Sequence, residues 1–171
     1  MENSRLRRLL LTAMFAALTA AGAFLRIGSV TLQVFFACVS GMLLGPVWGT
    51  ASQGLYVLLG MLGLPVFAQG GGPMYVAQPT FGFLLGLLPL AAVTGALSRH
   101  IPLFFCALGG LFAMYAVALP YFYIATGQVL PLKELLFAAC VPYLPFDALK
   151  LLSACLLVRR LRFLLRRDIR F

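Results

Sequence analysis

Residues 27–98 read IGSVTLQVFFACVSGMLLGPVWGTASQGLYVLLGMLGLPVFAQGGGPMYVAQPTFGFLLGLLPLAAVTGALS and contain no Asp, Glu, Lys, Arg or His. A water-soluble domain cannot cover its surface with such a run. Gly45-Pro46, Pro65, Gly70-Gly71-Gly72-Pro73 and Pro79 interrupt it, and the apolar pieces between them read as membrane helices. Composition agrees. The 171-residue chain is 63% hydrophobic and 10% charged, with a mean hydropathy of +1.03. This is the polytopic membrane class. No internal repeat or low-complexity segment divides the chain, so residues 1–171 form one integral membrane domain.

Working outward, the fold class is all-α with six transmembrane helices, at about 6–25, 31–44, 47–64, 80–97, 103–125 and 145–165. A short apolar piece at 135–141 precedes the last helix. Pro142 and Pro145 interrupt it, and proline suits the first turn of a helix. The first apolar run has the flanks of a signal peptide, but it is long enough to span and is read as a retained helix. The net charge of +9 lies at the two ends. Arg5, Arg7, Arg8, Arg99 and six arginines from Arg159 to Arg170 fall on one side of an even-spanning topology; Arg26 and Lys133 fall on the other. Basic residues stay in the cytoplasm, so both termini are expected there, in a multi-pass protein of the cell membrane. The basic tail also suits contact with membrane lipids. It carries no interleaved aromatic face, which argues against nucleic acid.

Asp147 and Lys150 are the only charges between Leu135 and Val158. Three residues apart, they share one helix face. Each costs roughly 2.5–3.5 kcal/mol to insert at a helix centre, so the pair marks a polar ligand site or an ion pair locking two helices. Asp147 falls in the first turn of its helix, where the dipole favours a carboxylate. The glycine-rich loop 68–78 faces the same side, as an outer lid would. No GxxxxGK[ST] motif, Ser/His/Asp set or His/Glu cluster is present, so the chain is read as neither an ATPase nor another enzyme, and no metal site is expected. Cys38, Cys106, Cys140 and Cys155 lie in apolar runs without a CxxC and read as small hydrophobes. Ala13-xxx-Ala17-xxx-Ala21 is a small-residue repeat suited to docking another membrane protein, whereas Gly41-xxx-Gly45-xxx-Gly49 and Gly82-xxx-Gly86 suit internal packing.

Three segments together resemble the BioY family, the biotin-binding S components of energy-coupling-factor (ECF) transporters. They are Val30-Thr31-Leu32-Gln33 through Gly45-Pro46-Val47-Trp48-Gly49; Tyr56 to Phe67 with the glycine loop and Pro79-Thr80-Phe81-Gly82; and Pro142-Tyr143-Leu144-Pro145-Phe146-Asp147-Ala148-Leu149-Lys150. The resemblance implies an S-component-like bundle of six helices with an outward vitamin pocket. It implies high-affinity biotin capture for an ATP-driven importer. Asp147 and Lys150 match the family's Asp-x-x-Lys, and the expected ligand contacts are Asp147, Lys150, Tyr56, Gln53, Gln33, Phe67, Gly71 and Thr80. Ala13 and Ala17 match the AxxxA face with which the family docks its transmembrane coupling protein, and Ala21 extends the pattern. Two ATPase subunits would use ATP; the chain itself would need no cofactor. The competing expectations are another small vitamin or a biotin precursor, or a scaffold without ligand. Gln78-Pro79-Thr80-Phe81-Gly82 departs from the Gly-Pro-Thr-Gly-Gly usual in the family, which leaves the lid contacts open.

Overall fold

Gly45 decides how the first half of the chain folds. The computed structural model describes residues 2–27, 30–127, 134, 137 and 143–168. Among them lie five helices: α1 (Glu2–Phe24), α2 (Gln33–Met61), α3 (Phe81–Leu97), α4 (Leu103–Ala125) and α5 (Leu144–Asp168). A two-stranded antiparallel ribbon joins α1 to α2, with β1 (Arg26–Ile27) paired to β2 (Val30–Thr31). A 3-10 turn at Pro73–Ala77 precedes α3. The piece expected at 135–141 lies outside the described residues.

Helix α2 is not a straight rod. In an unbroken helix residues 33 and 56 would stand about 35 Å apart. Here the Gln33 amide donates to the Tyr56 hydroxyl, and Gln53 Nε2 donates to Ser40 Oγ at 3.1 Å. A Cβ built on Gly49 would lie 2.7 Å from Gly41 Cα. The two arms, 33–44 and 46–61, therefore run antiparallel as a helical hairpin. The reversal is at Gly45, with φ 83° and ψ 178°, a conformation that a side chain would strongly disfavour. Pro46 then opens the second arm. The expected pair of helices at 31–44 and 47–64 is thus present as these two arms, with corrected ends. Residue 31 belongs to the ribbon, and the second arm stops at Met61 because Gly63 turns the chain at φ 103°. The first helix begins four residues earlier than expected and the last runs three residues further.

The arms pack on α3, and α3 packs on α4, through glycines. Gly41 meets Thr94 and the Ala91 carbonyl; Gly95 meets the Gly45–Pro46 peptide; Gly82 meets Tyr121 and the Ala118 carbonyl; Gly86 meets Met114. Lipid tails are as apolar as the helix faces, so close packing of this kind, more than the hydrophobic effect, holds such helices together. Gln53 ties three rods, donating to Thr19 of α1 and to Ser40 and Ser52 of the two arms. All three hydroxyls spend their own protons on backbone carbonyls.

Arg162 of α5 closes the opposite end of the bundle. Pro46 has no N–H to give the Met42 carbonyl, the partner it would have in a continuous helix. Arg162 Nη2 donates to that carbonyl at 2.6 Å. Its Nη1 donates to the Ser98 carbonyl, at the C-terminus of α3, at 3.1 Å. The rods alternate in direction, so the bundle has two poles. One gathers the ribbon, the glycine loop, the end of α4 and the start of α5. The other gathers the start of α1, the Gly45 turn, the α3–α4 connection and the end of α5.

Arg5–Phe24 and Leu103–Ala125 are long and apolar enough to cross a membrane, and Phe81–Leu97 is shorter. Gln33–Met61 also has the length, but its hairpin makes it two shorter passes. Outward-facing side chains are apolar, as lipid contact requires: Leu6, Leu10, Phe112, Ile124 and Leu156 are all more than half exposed.

Candidate functional site

The first pole holds a cavity of about 300 Å³, at the small end of the range for small-molecule sites. Each wall comes from a different element. The ribbon gives Arg26 and Thr31, α2 gives Gln33 and Val34, and the glycine loop gives Ala68 and Gln69. Thr80 stands just before α3, which gives Phe83, Leu84 and Leu87; Met114, Tyr115 and Phe122 come from α4; Tyr143 stands just before α5, which gives Asp147 and Lys150. Leu87 and Met114 lie furthest from the loops along their helices and close the deep end.

Asp147 is buried in the first turn of α5. Lys150 Nζ donates to its Oδ1 at 2.9 Å, and the Tyr115 hydroxyl donates to its Oδ2 at 2.8 Å. Phe83 meets the Tyr115 ring edge to face, with centroids 6.0 Å apart, and helps hold that hydroxyl in place. The carboxylate therefore has a donor on each oxygen and stays satisfied in an apolar setting. The ammonium keeps two N–H groups beyond the ion pair. Arg26, exposed at the mouth, donates to the Ala68 carbonyl at 3.1 Å. The described lining carries two cations and one carboxylate, an excess of one positive charge.

Of the expected contacts, Asp147, Lys150, Gln33 and Thr80 line this cavity. Thr80 stands before α3 and makes no side-chain capping bond. Tyr56 and Phe67 stand one layer behind. Tyr56 accepts from Gln33 and donates to the Val66 carbonyl. Phe67 fills the slot left by the missing side chain of Gly60 and packs on Tyr75 at 4.7 Å. Gly71 sits tightly over the Leu64 carbonyl, and Gln53 lies in the inter-helix network described above. The glycine loop is anchored: Gly72 N–H donates to the Gly60 carbonyl at 2.7 Å, and Phe67 and Gly70 bond each other through both backbone groups. Ala68, Gln69 and Tyr75 of this loop reach the cavity.

Sequence reasoning did not place Tyr115, Gln69, Tyr75, Phe83 or Phe122 at the site, and it read Arg26 only for its side of the membrane. Tyr115 did carry a signal, because a tyrosine in mid-helix among apolar residues needs a partner for its hydroxyl. The expected docking residues Ala13, Ala17 and Ala21 are all exposed along one face of α1, while Ala16 is buried.

A family model, described as the BioY family, matches residues 1–167. The chain belongs to the BioY family. Among its relatives, the probable biotin transporter BioY of Lysinibacillus sphaericus is 43% identical over 74% of this chain and 69% of its own length. The biotin transporter BioY of Thermotoga maritima is 37% identical over 92% of this chain and 96% of its own. The fold resembles a crystal structure of the S-component for biotin from an ECF-type ABC transporter, with TM-score 0.81 and 27% identity over 95% of this chain and 94% of that one. This BioY-family chain is accordingly a membrane transport protein of the S-component fold.

Proposed function

We propose that this chain captures biotin in the cavity at the first pole and serves as the specificity subunit of an ECF-type importer. The observation that carries this is Asp147, buried at the cavity wall and held by Lys150 and Tyr115, in a chain whose relatives are named biotin transporters. Biotin offers two ureido N–H donors, one strong ureido acceptor and a carboxylate. Asp147 accepts from N–H, and Lys150 donates to an oxygen. Gln33 and Thr80 supply further polar contacts. Arg26 at the mouth receives the carboxylate, so that a monoanion cancels the excess charge of the lining. Tyr56, Phe67 and Gly71 support the wall; Gln53 supports the bundle. Nanomolar capture needs about −12 kcal/mol, or about −0.8 kcal/mol per atom over roughly 16 heavy atoms, inside the usual ceiling.

The arginine pole faces the cytoplasm with both termini, and the cavity opens outward across the cell membrane. The exposed face of Ala13, Ala17 and Ala21 docks a transmembrane coupling protein. Two ATPase subunits supply energy, and the chain binds no ATP. Thermal stabilisation across a vitamin panel tests the substrate. Biotin is expected to give the largest shift, and biotin methyl ester a smaller one. A larger shift with another vitamin or with a biotin precursor would reassign the ligand.

A further inference from the structure

A second cleft of about 540 Å³ opens between α4 and α5 at the arginine pole, lined by Leu103, Phe104, Leu152, Cys155, Leu156, Arg159, Arg162 and Phe163. We propose that it binds one anionic phospholipid, with an acyl chain along its apolar part and the phosphate at Arg159. Positions 152, 155, 156, 159 and 163 form one stripe of α5, three or four residues apart. Leu152, Leu156 and Phe104 are between 41% and 67% exposed, a wet apolar trough in water and a seat for a chain in lipid. Two features select an anion. Arg159 is exposed and makes no hydrogen bond or ion pair with a described residue, whereas Arg162 donates inward to Met42 and Ser98. No described side chain caps the start of α4. Its helical bonding begins with the Phe105 and Cys106 amides on the Pro102 carbonyl, which leaves the amides of Leu103 and Phe104 outside that bonding, and both residues line the cleft together with Arg159. A helix N-terminus together with an arginine forms a phosphate seat. The described lining holds no acidic residue, so among the described residues none would pair the ammonium of a zwitterionic headgroup.

Native mass spectrometry of the purified full chain, offered equal phosphatidylglycerol and phosphatidylcholine, tests this. The parent is expected to retain phosphatidylglycerol about fivefold better, the weight of one arginine near an anionic headgroup. Arg159→Gln and, independently, Leu156→Trp, which fills the trough, should abolish that preference with biotin titration unchanged. Arg160→Gln, exposed outside the cleft, should keep it. Equal retention of both lipids would overturn the proposal. So would an equal loss in Arg160→Gln, which marks diffuse charge, or equal stabilisation by soluble glycerol phosphate, which marks a free-anion site. Lost assembly with partner subunits in Arg159→Gln, with lipid retention intact, would assign the surface to protein instead.

Discussion

The carboxylate of Asp147 has two donors from two helices, and each does a different job. Lys150 balances its charge; Tyr115 fixes its direction. Tyr115→Phe leaves Oδ2 without a partner, and hydrogen bonds to charged groups contribute about 1.5–3 kcal/mol. Biotin affinity measured by calorimetry should therefore fall about tenfold or more, with the fold retained. Lys150→Ala removes the counter-charge itself together with a donor to the ligand, and the expected loss of binding is larger than in Tyr115→Phe. If Lys150→Ala instead unfolds the protein and Tyr115→Phe leaves affinity untouched, the pair is a structural lock. Gln53 behaves otherwise. Gln53→Leu should lower the melting temperature by removing two inter-rod bonds and leave the affinity of the folded protein within a few-fold.

At the scale of the element, the α2 hairpin depends on Gly45 at the turn and Arg162 across from it. Gly45→Ala places a side chain at φ 83° and should cost about 1–2 kcal/mol. Arg162→Met leaves the Met42 carbonyl without the donor that Pro46 cannot supply. It should destabilise by about 1–3 kcal/mol in chemical or thermal melts, with no loss of affinity in the folded fraction. These two residues also show what a sequence exposes. The Gly45-Pro46 break and the three-residue step from Asp147 to Lys150 are local signals, written in neighbouring letters, and both were legible. Arg162 acts on a residue 120 positions away, Arg26 on one 42 away and Tyr115 on one 32 away. Their partners are set by how the rods pack, which periodicity does not encode. The glycine loop misleads for the opposite reason. Its composition suggests freedom, but Phe67 needs the space at Gly60, and Gly71 must pass the Leu64 carbonyl.

Across the whole molecule, alternating rods place a polar cavity at one pole and most of the arginines at the other. The small face of α1 stays uncovered between them. Ala17→Trp, on that exposed face, should abolish copurification with the coupling protein and leave biotin binding intact; retained copurification would move the docking surface elsewhere. The apolar helices of the described residues and the buried Asp147–Lys150 pair were readable from hydropathy and charge alone. The ligand was not, because a carboxylate beside an ammonium suits many small polar molecules, and here family membership narrows the choice. Calorimetric titration of the purified chain with biotin, beside Asp147→Asn, tests the central claim most directly. The account predicts tight one-to-one binding by the parent, weakened by at least tenfold in the variant, as loss of a charge-assisted contact requires. A well-folded parent that gives no heat and no thermal stabilisation with biotin, or a variant that binds as tightly as the parent, would contradict it.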